Sequence, residues 1–156
     1  TIMSTQYNPE IDFDVSSEYK PAPLVPNGEY HGNVTKIELN SESACVVWTI
    51  TLADNGGVMS DDITPIDGSL HWYRNWLPVQ GDETEMTKDG KMTKRQAKIN
   101  MLADFSSAMK IKLNDPKQIK EDIANQVWLG LSVMVNIETR EYNGKVSNNI
   151  KKMYSA

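Results

Sequence analysis

At 156 residues the chain can bury roughly two thirds of its unfolded surface in one domain, with no need of disulfide or metal staples. Its single cysteine, Cys45, excludes an internal disulfide framework and suits a reducing compartment, and no apolar run nears the ~20 residues of a membrane span or reads as a signal peptide, so the chain is expected in the cytosol. The net charge of −5 hides an asymmetry, with two lysines against ten acids in residues 1–62 and nine basic residues against three acids in 86–120, so a local positive surface remains open to an anion.

The Thr-Ile-Met start suggests a trimmed or tagged terminus with Met3 as initiator. Residues 1–27 hold Pro9, Pro21, Pro23 and Pro26 among acids and serines, with no sustained period. Prolines lack the amide proton and push the preceding residue to extended geometry, so 1–27 reads as an extended acidic arm before a single domain over 28–156. Isolated apolar residues such as Ile11, Phe13 and Tyr19 are candidates to pin part of the arm.

Asn27-Gly28 is a turn, and Gly28 to Leu39 is the first expected strand. Its apolar phase shifts between Val34 and Ile37, which predicts a bulge near Thr35-Lys36. Ala44 to Leu52 is the second, with Val46, Trp48, Ile50 and Leu52 on one side and β-branched or small residues on the other, as suits a central strand. The acidic loop Ala53 to Asp67 could hold a hard cation, yet its spacing matches no calcium loop. Gly68 to Leu77 is the third strand, with Leu70, Trp72, Arg74 and Trp76 in one phase and His71, Tyr73 and Asn75 in the other.

Thr93-Lys94-Arg95-Gln96 is a capping-box signature that opens a helix to about Ile111, with Met101, Leu102, Phe105, Ala108 and Met109 at helical spacing. Lys94, Arg95 and Lys98 in its first turns oppose the helix dipole, and with Lys88 and Lys91 they form a basic cluster. A solvated lysine face is the plainer account. Asp115-Pro116 starts a second short helix. Val127 to Glu138 then alternates with period two, and Asn143-Gly144 is a tight hairpin turn from which a last strand runs from Val146 to about Tyr154.

The resulting order, three strands, one or two helices and two strands, fits a mainly β, five-stranded Greek-key barrel of the OB type, in which nucleic acid crosses strands 2 and 3 between loops 1-2 and 4-5. A mixed α+β sheet of another strand order would give the same string. Enzyme signatures are thin: two histidines, no nucleophile elbow and no phosphate-cradling loop. Cys45 reads as a small buried residue rather than a nucleophile. Asp12 with Asp14, or Asp61 with Asp62, would suit a metal-dependent nuclease, and nothing else supports one.

Single strands are held by rings that stack on bases and by cations along the backbone. Trp72, Tyr73, Arg74 and Trp76 on the third strand, Lys91, Lys94, Arg95 and Lys98 at the helix start, and Arg140, Tyr142 and Lys145 at the hairpin tip supply that mixture. Trp48 is expected in the core. Trp72 and Trp76 are open to either role, Tyr73 is the expected exposed ring, and Tyr142 is the best single candidate.

Pro26-Asn27-Gly28-Glu29-Tyr30, His71 to Leu77, Val133 to Glu138, and Glu141 to Lys145 followed by Asn149-Ile150-Lys151 together resemble small phage-encoded single-stranded-DNA-binding proteins of OB fold, over about residues 20–154. The resemblance implies a non-enzymatic, cofactor-free protein of the bacterial host's cytoplasm. It would coat single-stranded DNA, or RNA, during phage replication or recombination, as a homo-oligomer and with phage or host replication proteins as partners. On matching positions it points to Trp72, Tyr73, Arg74, Tyr142 and Lys145. Many such proteins end in an acidic tail, whereas here the acidic segment is N-terminal, and residues 8–19 are candidates to compete with DNA for the basic surface. The alternative from another class is an OB-like interaction module in a phage assembly or inhibitor protein, its aromatics forming a protein interface.

Overall fold

Strand β1 (Gly28–Asn40) is shared by two halves of one sheet in the computed structural model, which describes residues 9–156. Its first half, Gly28 to Asn33, pairs with β4 (Ser132–Tyr142), and the stretch from Gly32 to Asn40 pairs with β2 (Cys45–Leu52). The register shifts between Val34 and Lys36, where the change of apolar phase predicts a bulge. At Gly32 three strands meet, and a Cβ there would lie 2.6 Å from Ile50 Cγ2 and 2.9 Å from the Thr51 carbonyl oxygen. The missing side chain lets β1 pass from one partner to the other.

With β3 (Leu70–Trp76) and β5 (Lys145–Ser155) the antiparallel sheet runs β3-β2-β1-β4-β5. The edge strands β3 and β5 come into contact, but no ladder joins them and the sheet is not closed. The chain is thus mainly β, with helices α1 (Val15–Glu18), α2 (Lys94–Met109) and α3 (Pro116–Ala124).

The core lies between the inner face of the sheet and α2. Trp48, Ile50, Leu52, Val133, Val135 and Ile137 are fully buried, and α2 contributes Leu102, Phe105 and Met109. The Trp48 ring lies 5.4 Å from Phe105 and 5.5 Å from Trp128, and its Nε1 donates to Asn75 Oδ1 at 2.6 Å. A buried indole donor needs such an acceptor. Thr93 caps α2 by accepting from the Gln96 amide at 3.1 Å, but the Gln96 side chain bonds Asn100 instead of reaching back, so only half of the expected capping box forms. Asp115 caps α3 by accepting from the Gln118 amide, with Pro116 at its start. No helix among the described residues is long and apolar enough to cross a membrane.

Three local differences have physical causes. Val127 to Leu131 is a turn rather than the start of the long strand: Gln126 and Gly130 take positive φ, Trp128 is buried, and Val127 and Leu129 are exposed. Burying the large indole outweighs keeping the odd-numbered phase. From Ser132 the expected phase holds, and β4 runs on past Arg140 to the Asn143-Gly144 turn, whose two residues have φ of 52° and 76°. Instead of one or two helices there are three among the described residues, because Asp14 accepts from the Ser16 amide while Glu18 accepts from the Asp14 amide, closing the single turn of α1.

The expected arm has two parts. Residues 9–20 are exposed and include the single helical turn of α1, and residues 1–8, with Met3, lie outside the described set. Val25, by contrast, is fully buried. The Asn148 side chain of β5 accepts from the Val25 amide and donates to its carbonyl, both at 2.9 Å, and Leu24 exchanges two hydrogen bonds with Ser60.

A candidate nucleic-acid interface

Along β3 the side chains alternate between the core and the outside. His71, Tyr73 and Asn75 turn inward, while Leu70, Trp72, Arg74 and Trp76 are exposed, with Trp72 at 52% and Trp76 at 46%. Tyr73, the expected exposed ring, is a correction: it stacks on Phe105 with centroids 5.4 Å apart and planes within 9°. Its polar neighbours are satisfied inside, Asn75 by Trp48 and His71 by the Ser69 hydroxyl at 3.0 Å. Burial lowers the imidazole pKa of His71 and raises the phenol pKa of Tyr73, which keeps both neutral near pH 7.

The register extends this strip across two more strands. Trp72, Arg74 and Trp76 lie opposite Thr49, Val47 and Cys45 of β2, which in turn lie opposite Lys36, Glu38 and Asn40 of β1. The β2 side chains are small and all buried, so the outer face is shallow along β2 and rimmed by indoles and Arg74 on one side. Lys36 and Glu38 form the other rim, 3.8 Å apart. Lys36 was absent from the sequence-derived site. The bulge carries the signal for it, because the phase shift that turns Ile37 and Leu39 inward turns Lys36 and Glu38 outward.

Two members of the basic cluster at the start of α2, Lys94 and Lys98, are held by acids. Lys98 Nζ lies 2.7 Å from Asp82 Oδ2, and Asp82 is buried, also accepting from the Val79 amide. The Lys98 hydrogen bond, then the Val79 amide, holds the Asp82 carboxyl below its usual range. Lys94 pairs with Glu85 at 3.3 Å. These acids explain cations at the wrong end of the helix dipole: they tie the 79–85 loop to α2. Among the described residues Lys88, Lys91 and Arg95 have no ion pair, and Arg95 borders a groove of about 450 Å³ between α2 and α3.

At the hairpin tip Tyr142 is 78% exposed and lies opposite Lys145, while Arg140 pairs with Glu138 at 3.3 Å. The tip reaches five residues beyond the last β1 pairing, Gly28 with Ile137, or about 17 Å. It projects from the end of the sheet where β2 leaves and β3 begins, nearer Leu70 than Trp76 in register. The fold therefore brings Trp72, Arg74 and Trp76 onto one face and sets Arg140, Tyr142 and Lys145 apart from them on a projecting ribbon.

No protein-family model matches the chain, and no curated protein matches it.

Elsewhere the polar groups serve the loops. Asp67 accepts from the amides of Gly56 and Asn55 and from the Asn55 side chain, and the Gly56 amide leads in holding its carboxyl below the usual range. His31 bridges Ala53 O at 3.0 Å and Ser132 Oγ at 2.6 Å, joining that loop to β4. Among the described residues no three His, Cys, Asp or Glu side chains converge as a metal site. Cys45 is buried beneath the outer strip, with Ser43 Oγ 3.4 Å from its sulfur.

Proposed function

We propose that the chain is a non-enzymatic, sequence-tolerant single-stranded-DNA-binding protein, its ligand lying on the outer face of β1, β2 and β3. One observation carries the reading: two half-exposed indoles with an arginine between them, in line on one face above small buried neighbours. Rings in that setting are held away from the core at a hydrophobic cost that stacking on bases would offset. The pairing order suits an OB-type barrel whose seam between β3 and β5 lacks a ladder, and the resemblance to phage proteins favours a role in replication or recombination inside a bacterial host.

Titration with oligo-dT tests the proposal. Trp72 and Trp76 fluorescence is quenched on binding, and Trp72→Ala or Trp76→Ala each weakens affinity by about 1–3 kcal/mol. If Lys36 and Arg74 on this face each meet a phosphate, log K falls against log salt with a slope near −1.4, at about 0.7 per phosphate. Absence of both quenching and salt dependence would overturn the proposal.

Leu70, 49% exposed beside Trp72, favours a second reading, a protein interface of the kind expected for an assembly or inhibitor module. That reading expects a stable complex with a protein partner and no response to oligo-dT.

A further inference from the structure

Trp72 and Trp76 stand four residues apart on the same face of β3, which at ~3.4 Å per residue separates their Cα atoms by about 13–14 Å. Bases in a stacked strand are only about 3.4 Å apart, so the distance spans four stacked steps, or two steps of a strand drawn out to about twice that rise. Three stacked bases would fill the gap between the two rings like books between bookends. Arg74, exposed on the same face between the indoles, occupies that gap.

Building on the single-strand reading above, we infer that the strip takes an unstacked strand running along β3, with bases n and n+2 on Trp72 and Trp76 and the base between them unstacked. Arg74 then faces the backbone of the intervening nucleotide, where a guanidinium can meet phosphate oxygens in a bidentate fork. Thr49, Val47 and Cys45 of β2 are small, which gives the strand room to lie close, and all three are buried, so they present little polar surface with which to select a base edge.

Two thymidine oligonucleotides of equal length, charge and base count test this. In one, thymidines alternate singly with abasic sites; in the other, pairs of thymidines alternate with pairs of abasic sites. Bases two apart occupy both rings with the first oligonucleotide and only one ring with the second. The first therefore binds the wild-type chain more tightly by about 5- to 150-fold, the worth of one stacked base. In Trp72→Ala and in Trp76→Ala one ring is already lost, so the preference vanishes. Equal affinities, or tighter binding of the paired pattern as adjacent bases would give, overturn the inference while leaving single-strand binding intact. If unmodified oligo-dT fails to bind, both fall together.

Discussion

Gly32→Ala probes the point on which the sheet turns. The added methyl would sit 2.6 Å from Ile50 Cγ2 and 2.9 Å from the Thr51 carbonyl oxygen, against an optimum near 3.5–4.0 Å for carbon contacts. Ile50 is fully buried and the carbonyl belongs to a paired strand, so neither atom can swing away as the end of a flexible side chain would. Overpacking of this kind costs about 3 kcal/mol, the upper end of the usual range. Alanine restricts the unfolded chain and returns about 0.5–1 kcal/mol, leaving a net loss near 2 kcal/mol. For a chain of this length that lowers Tm by about 4–8 °C, measurable by thermal melts and by the urea midpoint at constant m. Gly28→Ala in the same strand is the control: its Cβ would meet nothing closer than 3.7 Å, and its backbone φ is negative, so the change is neutral or slightly stabilising. A Gly32→Ala variant as stable as wild type would refute the account of how β1 serves two partners.

Asp82→Asn removes the carboxylate that ties the 79–85 loop to α2 through Lys98, so the variant melts below wild type at pH 7. Because the folded carboxyl pKa is depressed, its contribution is present above the unfolded value of about 3.9 and is lost as pH falls through the folded pKa. The gap between the two melting curves should therefore close in acid; a gap that stays constant from pH 7 into that range would count against the ion pair. Glu38→Gln strips the acid from the rim facing Arg74 and releases Lys36, so oligo-dT affinity rises a few-fold at low salt and the gain shrinks as salt is added. Weaker binding by that variant would place the strand elsewhere.

The fold was legible where side chains alternate in one clear phase. Val46 to Leu52, Val133 to Ile137 and the Asn143-Gly144 turn stand where their patterns put them, and the phase change around Thr35 marked the bulge. At Val127 to Leu131 the same alternation misled, because five residues of period two do not reveal that Trp128 will be taken inward. The inversion on β3 has a similar origin. His71 and Asn75 are polar and suggested a wet face, but an interior with a Ser69 hydroxyl and a Trp48 donor to satisfy takes them in and brings Tyr73 with them. Likewise, a string of lysines carries no record of Asp82 and Glu85, which lie a loop away and claim two of them. Pairing across strands and loops is tertiary information, and only the residues whose partners are implied by period could be placed in advance.

The strand that bears the indoles is hydrogen-bonded along one margin only, to β2. What stops it from swaying is a pair of pegs driven inward through it, Tyr73 against Phe105 and Asn75 against the Trp48 ring nitrogen. Whatever rests on the outer rings thus feels the fit of groups it never touches. Loosening either peg would blur the spacing of the rings, and the grip of the surface would slacken with every outward side chain still in place.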